Sequence, residues 1–544
     1  MFLCRGLSAL QVKLSHLLFT ALVVVVLYNA TKIYQQNFPA FTTDVEDSTP
    51  VGLLLPEEEY LERLIDTYGL TNFTKWQAWR VQSAEQALDV EPITDIHANF
   101  QPHWDTPKTI DLSNPRASDL RATKRMELPI HTSQAEGKLN GSDFLFGIST
   151  SHGRIADKDW AILRAWKRWL TKDDGSSNGA SLVLMLDNAS TGQLDDIDRR
   201  LHEAGIDAYV TSTAERTSKA RRYYELIRIL KTYGATLAAS GQPKLWFGVV
   251  EDTIFFPSLP YLRERLASYD IREQLYVGIP SERLDWQQDG KSVTTFGGGA
   301  IMLTKRAVSI IPKLPCLDVE QAGQPYRAQT WDKLLKQCVK KEAGMDMHVV
   351  PAFYSPFDAH YKPHLESHEN GMRPLLLHDY QDRYHLDVGM AHLVTDVCGE
   401  ACFMHHYLFH DNWVVINGVS ISHHPDGLTH QHHHHHHPDP AQVGQQGEQE
   451  SFGATSRTPV SGQLVINEAK IAKKPLDWQG RRDVWRLLDS ARAGNGAVWQ
   501  AYLKPGVKRP KLPESKGETE ASEAVADEEL DSIIVLIWEK KKHQ

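Results

Sequence analysis

The sequence has no excess of positive charge. Its 544 residues include 59 Lys and Arg against 69 Asp and Glu, a formal net charge of −10 at pH 7. Such a chain is a poor electrostatic partner for nucleic acid, and we expect no nucleic-acid partner. Hydrophobic residues make up 41% and charged residues 24%. These fractions exclude a chain that is disordered throughout, a collagen-like chain and a polytopic membrane protein.

Long apolar runs are scarce as well. One run, residues 14–28, follows Arg5 and Lys13 and is interrupted by only three polar residues. Positive charge before such a run predicts a cytoplasmic tail at 1–13, a signal anchor at 14–34 and a lumenal body. A cleaved signal peptide is the alternative. The run is shorter than the usual transmembrane length of about 20 residues, which favours a thin early-secretory bilayer. We therefore expect a single-pass type II protein of the Golgi membrane.

Two further features are typical of a lumenal protein. Glycosylation sequons begin at Asn72, Asn140 and Asn188. Cysteine is rare: one of the five residues lies in the predicted tail, and the other four are close together in pairs, Cys316 with Cys338 and Cys398 with Cys402. An even lumenal count fits two disulfides. The alternative for the second pair is a zinc site with His405 and His406.

Composition divides the rest of the chain into four regions. These are a stem at 35–140, a catalytic domain at 141–424, a His- and Gln-rich linker at 425–462 and a C-terminal module at 463–544. The histidine run at 432–437 is interpreted as part of a solvated linker, and the alternative is that it chelates metal.

From Asp143 onward, short apolar runs alternate with segments of helical period. This rhythm predicts an α/β domain with a largely parallel sheet. Ligands of such sheets lie beyond the carboxyl ends of the strands. The residues at those ends are Ser149, Thr150, Asp187, Glu251 and Asp252. We expect them to line one crevice.

The segment KLWFGVVED delivers Glu251 and Asp252 to the end of an apolar strand. Hard oxygen ligands at this position could hold a divalent cation, and the cation a diphosphate. The alternative is that both carboxylates cap the next helix. A basic cluster of Lys219, Arg221 and Arg222 has two interpretations too, a nucleotide contact or a solvated helix face.

Resemblance to a known family is carried by three segments in order: WFGVVEDTIFFPSLPYLRERLASYD, LYVGIPSER and FGGGAIMLT. They resemble glycosyltransferase family 31, the Fringe-like and core-1 β1,3-galactosyltransferase-like enzymes, and within it a fungal branch. The similarity covers about residues 144–417. It implies a GT-A-type, Rossmann-like nucleotide-sugar domain with a mostly parallel central sheet, to which an N-terminal membrane anchor and a small C-terminal module are appended.

The resemblance also implies roles for single residues. Asp252 and His378 would bind Mn²⁺, and Asp332 would be the general base, although its position also suits a helix N-cap. Residues of the donor-nucleotide site would be Ser149, Thr150, Asp187, Arg222, Glu251, Gly298 and Gly299. Val250 stands where the family has a further acid.

The function implied is an inverting, Mn²⁺-dependent transfer. A hexose, Gal or GlcNAc, would pass from a UDP-sugar to a glycan or glycoprotein acceptor and form a β1,3-linkage. The alternative is a catalytically degenerate protein that binds sugars or escorts other proteins in the Golgi, which the loss of an acid at Val250 favours. The sequence does not define an oligomeric state.

Overall fold

The computed structural model describes residues 56–70, 73–86, 93–100, 108–112, 120–122, 124–131, 140–279, 287–289, 292–294, 300–317, 330–350, 374–378, 380–383, 385–429, 476–478, 480–506 and 530–540. The predicted tail, anchor and His run, together with Asn72, Gly298 and Gly299, lie outside these ranges. No helix in the described ranges combines the length and apolar character needed to cross a membrane.

The described helices are numbered in chain order. They are α1 Pro56–Tyr68, α2 His152–Leu170, α3 Thr191–Glu203, α4 Lys219–Ala239, α5 Leu259–Leu266, α6 Lys305–Ile310, α7 Trp331–Ala343, α8 Tyr380–Arg383, α9 Val388–Ala391 and α10 Thr395–Cys398. The described residues also include 3₁₀ turns at Ile311–Lys313, His392–Val394 and Glu400–Cys402.

The described strands are β1 Phe73–Gln86, β2 Ile93–Ile96, β3 Lys108–Asp111, β4 Lys124–His131, β5 Phe144–Thr150, β6 Ser181–Leu186, β7 Ala208–Ser212, β8 Trp246–Val250, β9 Ile254–Phe255, β10 Tyr276–Gly278, β11 Gln287–Asp289, β12 Ser292–Thr294, β13 Ala300–Thr304, β14 Met347–Val349, β15 Leu377–His378, β16 His406–Phe409, β17 Trp413–Ile416, β18 Ser420–His423, β19 Leu428–Thr429, β20 Asp477–Trp478, β21 Asp483–Arg492, β22 Val498–Lys504 and β23 Asp531–Glu539.

A seven-stranded sheet has the order β14-β10-β13-β8-β5-β6-β7. Neighbouring strands are parallel except where β13 runs antiparallel between β8 and β10. The predicted α/β domain is therefore confirmed, but its sheet is mixed, with four of the six strand pairs parallel. Ile148 lies opposite Leu184 on one side and Val250 on the other. Because these three strands are in step, their carboxyl ends meet at one edge of the sheet.

Helices cover both faces of this sheet, which is why every residue of β5, β6 and β8 is buried. Phe146 and Ile148 pack in the core that α2 and α3 complete, whereas Leu145 faces the core of α4 and α7. The alternation follows from the two-residue period of a strand.

Local chemistry accounts for both ends of α3. Ser190 and Gln193 form a capping box at the start of α3, so both backbone donors there are satisfied. Beyond the end of α3, Gly205 adopts φ +81°, and a Cβ at this position would lie 1.8 Å from the carbonyl oxygen of Gly175. Only glycine combines this left-handed conformation with such a close backbone approach.

A ten-stranded sheet has the order β2-β16-β17-β18-β21-β22-β23-β1-β3, with β4 also paired to β1. Strand β23 alternates cleanly between two cores. Ile534, Leu536 and Trp538 face the core shared with the seven-stranded sheet, and the intervening residues face the core covered by α1. The two sheets are thus held together by one apolar layer.

This sheet differs from the separate stem and appended C-terminal module of the sequence-based division. Strand β1, from the expected stem, pairs in parallel with β23, from the expected module, and β18 of the expected catalytic domain pairs with β21. The described parts of all three regions therefore share one sheet. The pairing joins strands more than 400 residues apart, which no local pattern reports.

Candidate functional site

Five of the predicted residues lie at the carboxyl edge of β5, β6 and β8. Ser149 and Thr150 end β5, Asp187 follows β6, and Glu251 and Asp252 follow β8. The expectation that these strand ends share one crevice agrees with the strand register described above. The neighbouring helices then bring charged side chains to this edge.

Arg222 connects two of the strand ends. This residue lies in the first turn of α4, and its Nε donates to Oγ of Ser149 over 3.0 Å. Its Nη1 lies 3.0 Å from Oδ2 of Asp187, and both side chains are mostly buried. Arg222 therefore lies at the carboxyl edge of β5 and β6 rather than on a solvated helix face.

Glu251 is the most highly connected carboxylate of the edge. Nζ of Lys219 lies 2.9 Å from its Oε1, and the indole Nε1 of Trp331 donates to the same oxygen over 2.5 Å. Nε2 of His378 lies 3.2 Å from the other oxygen, Oε2. The short pairing of β9 with β15 sets His378 opposite Ile254 and so delivers the imidazole to the strand end.

These contacts decide the protonation state of Glu251. Burial alone would raise the pKa of its carboxyl group, but the hydrogen bond to His378, the charge of Lys219 and the indole donor outweigh burial and lower the pKa from 4.5 to about 2. Glu251 is therefore ionised at neutral pH. An ionised carboxylate only accepts hydrogen bonds, so Nε2 of His378 carries the proton in this contact.

Asp252 makes a separate set of contacts. Its Oδ2 accepts from Oγ1 of Thr150 over 2.5 Å and lies 2.6 Å from Nε of Arg154. The Asp252 side chain is buried, whereas that of Arg154 is half-exposed. The next helix, α5, is capped instead by Ser258. The alternative that Glu251 and Asp252 cap that helix is therefore wrong.

Asp332 lies in the first turn of α7, one residue after the Trp331 that contacts Glu251. The N-cap of α7 is Thr330, so the N-cap alternative for Asp332 is wrong. Burial raises the pKa of Asp332; a hydrogen bond from Thr330 opposes this rise, and the nearby charge of Glu251 adds to it. Asp332 is thus a partly buried carboxyl group within electrostatic reach of Glu251.

An aromatic pair fixes the start of α7. The rings of Trp331 and Tyr223 stack with centroids 4.3 Å apart and planes 15° apart. The Tyr223 hydroxyl donates to the carbonyl of Val250 over 3.1 Å. Since this stack bridges α4, α7 and the end of β8, it sets the distance between Asp332 and the edge.

The residues expected to hold Mn²⁺ do not fit that ion as they are arranged. Their donor types are suitable. However, Glu251 receives the Lys219 ammonium and a proton from His378, and Asp252 receives the Arg154 guanidinium. Within the described ranges, no three His, Cys, Asp or Glu side chains are grouped to hold a metal ion. The carboxylates are neutralised by the chain's own cations.

Sequence reasoning missed two contributors to the site. Arg154 lies four residues after the end of β5, and a cation so close to a strand end in the sequence indicates a possible partner for the acids at that edge. Trp331 belongs to the Trp331–Asp332 segment of the family resemblance, but no role was predicted for its indole, because only the tertiary contact with Glu251 distinguishes it from a core tryptophan.

Both predicted disulfides, Cys316–Cys338 and Cys398–Cys402, are present. Because Cys398 and Cys402 form a disulfide, the alternative of a zinc site at this pair is wrong. The predicted sequon residues Asn140 and Asn188 are exposed, so a glycan at either remains a prediction.

Comparisons with known proteins give no sequence-level relative. No family model matches the chain, and no curated protein matches it. Solved structures with similarity include a glycosyltransferase involved in glycosylation of the major capsid of PBCV-1, with 12% identity, TM-score 0.23, and 43% of this chain and 91% of that one covered. Others are the glycosyltransferase GlyE of Streptococcus pneumoniae, with 12% identity, TM-score 0.27 and coverages of 43% and 54%, and the inositol-1-phosphate CTP transferase of T. maritima, with 14% identity, TM-score 0.24 and coverages of 38% and 84%. TM-scores this low do not define a common fold.

Proposed function

We propose that the chain is a nucleotide-sugar-dependent glycosyltransferase whose reaction takes place at the carboxyl edge of β5, β6 and β8. The observation that carries the proposal is the convergence of Glu251, His378 and the Trp331–Asp332 segment, which are widely separated in sequence, on this edge. Glu251 lies in one of the segments that carry the resemblance to glycosyltransferase family 31, and His378 and Asp332 are residues to which that resemblance assigns roles.

The donor half of the site is the surface around Arg222 and Lys219. Arg222 is held against Ser149 and Asp187, which leaves a rigid polar wall at the end of β5 and β6. Lys219 extends over Glu251 with a half-exposed side chain. We propose that the uridine half of a UDP-sugar binds against the wall and that its diphosphate faces Lys219, since cationic groups recognise phosphate by charge-assisted hydrogen bonds.

Asp332 supplies the base. Its carboxylate accepts the proton of the acceptor hydroxyl while that oxygen attacks the anomeric carbon from the side opposite UDP. A new carbon–oxygen bond forms, the bond between the anomeric carbon and the phosphate oxygen breaks, and its electron pair leaves with UDP. Burial raises the pKa of Asp332 and so makes it a stronger base than an exposed aspartate. One in-line displacement converts an α-linked donor into a β-linked product.

The substrate assignment follows the family resemblance. The donor we propose is UDP-Gal or UDP-GlcNAc, the acceptor a glycan or glycoprotein, the linkage β1,3 and the compartment the Golgi lumen. A screen of UDP-sugars against glycan acceptors, read as free UDP together with the mass of the product, tests each part. Release of UDP without a product of increased mass would indicate hydrolysis rather than transfer.

The Asp332→Asn variant tests the mechanism. We expect its affinity for UDP to be unchanged and its turnover to fall by about 10²–10⁴-fold, the usual share of a general base. Asp66→Asn, at an exposed aspartate of α1 remote from this edge, is the matched control and should keep full turnover. Full turnover of Asp332→Asn would remove Asp332 from the mechanism.

A catalytically degenerate sugar-binding protein is the second candidate. Val250 favours it, because this buried side chain occupies the place of an acid that the family uses. If the wild-type chain binds UDP but releases none from any UDP-sugar, with or without acceptor, the degenerate protein is the correct description.

A further inference from the structure

The carboxylates of the site already hold cations that belong to the chain. Lys219 is bound to Glu251 at 2.9 Å and Arg154 to Asp252 at 2.6 Å. The charges of the two pairs cancel. A divalent cation bound by Asp252 and His378 would have to displace the Arg154 guanidinium and take the proton from Nε2 of His378. A cation that also used Glu251 would have to displace the Lys219 ammonium. The arrangement therefore opposes a metal at the place where the family resemblance implies one.

Lys219 is positioned to bind phosphate oxygens, as a divalent cation at this edge would. Its side chain is half-exposed, whereas Glu251 beneath it is mostly buried. The ammonium carries three donors, of which Glu251 accepts one, and donors directed to solvent can reach phosphate oxygens. Its Nζ also lies 5.8 Å from the centre of the Tyr223 ring, so the aromatic stack limits where the charge can move.

We propose that Lys219, held by Glu251, takes the place of the divalent cation, so that the site binds the diphosphate of a nucleotide sugar without metal. The inference rests on the proposed function, because it names the group that recognises the donor's diphosphate. Glu251 then positions a lysine, and the proton on His378 Nε2 maintains Glu251 as an accepting carboxylate. Positive charge near the departing phosphate stabilises the negative charge that develops there.

Calorimetric titration of the full chain with UDP, in EDTA and again with Mn²⁺, tests the proposal. The wild-type chain should bind UDP in EDTA, with a Kd that Mn²⁺ changes by less than about twofold. Lys219→Ala should raise the Kd in EDTA by about 10- to 100-fold, the range for losing a charge-assisted hydrogen bond to phosphate. Mn²⁺ should then restore part of the affinity of Lys219→Ala, because Glu251 no longer holds an ammonium.

Two variants serve as controls. Lys219→Arg keeps the positive charge and should bind UDP within about threefold of the wild type. Lys231→Ala removes a lysine from the same helix, about 18 Å further along its axis, and should leave the Kd unchanged. Thermal unfolding of each variant establishes that a change in Kd is not a loss of fold.

The outcomes separate this inference from the proposed function. UDP binding by the wild type only with Mn²⁺ would overturn the role of Lys219 and leave a metal-dependent transferase in place. Equal UDP affinity of wild type and Lys219→Ala in EDTA would show that Lys219 only neutralises Glu251, and would also overturn it. Absence of UDP binding in both conditions would reject the proposed function itself.

Discussion

Replacing Glu251 by Gln should destabilise the protein in a way that depends on pH. The hydrogen bond to His378 and the charge of Lys219 lower the pKa of this carboxyl group from 4.5 to about 2 against the effect of burial. A difference of one pKa unit corresponds to about 1.4 kcal/mol, so ionised Glu251 contributes about 3 kcal/mol to folding at pH 7. Gln keeps an acceptor for the Trp331 indole, and we therefore expect a loss of about 2 kcal/mol.

The sign of the pH dependence follows from the lowered pKa. A carboxyl group with a lower pKa in the folded state stabilises the fold above its unfolded pKa, and that stabilisation is lost as pH falls through the folded pKa. The gap between wild type and Glu251→Gln should thus be full above pH 4.5 and should close as pH approaches 2.

Urea unfolding followed by tryptophan fluorescence, repeated from pH 7 downward, measures this gap. Glu264→Gln, which removes an exposed carboxylate on α5, is the matched control and should match the wild type at every pH. Equal stability of wild type and Glu251→Gln at pH 7, or a gap that stays constant down to pH 2, would refute the assigned contacts of Glu251.

Three other perturbations test the surrounding structure. Replacing Cys316 and Cys338 by serine opens a loop of 22 residues and should lower stability by about 3 kcal/mol, and reductant should abolish the difference from the wild type in thermal unfolding. Gly205→Ala should cost about 2 kcal/mol or more, because its Cβ would clash with the Gly175 carbonyl oxygen; a variant that melts like the wild type would contradict the conformation of that turn. Trp331→Phe keeps the ring stack but removes the indole donor to Glu251, so the variant should melt at a lower temperature than the wild type, and its UDP affinity should fall by less than about tenfold. Unchanged thermal unfolding would argue against the hydrogen bond.

Much of the fold was predictable from local pattern. Short apolar runs that alternate with segments of helical period predicted strands β5 to β8 and helices α2 to α4 in the right order. Since parallel strands that alternate with helices end at one edge, the side chains at positions 149, 150, 187, 251 and 252 could be placed together before their contacts were known.

Contacts across the site were not predictable in the same way. The family resemblance paired His378 with Asp252 as metal ligands. In the structure the His378 imidazole contacts Glu251 instead, and Asp252 is held by Arg154. The choice between adjacent carboxylates depends on the direction in which each side chain leaves the strand end. For His378, strand β15 decides which carboxylate the imidazole meets, and the position of β15 is set only by its pairing with β9.

By itself, the sequence determined the alternation of strands and helices and the two pairs of neighbouring cysteines, because both are local patterns. It also determined the edge at which the polar residues collect, because parallel strands that alternate with helices end on one side. Tertiary structure alone decided that β1 pairs with β23, that Trp331 and Lys219 meet at Glu251, and that chain cations neutralise the strand-end acids. These contacts join residues from 32 to more than 400 positions apart. Such contacts depend on how whole elements pack in three dimensions, and a local pattern of polarity carries no record of that packing.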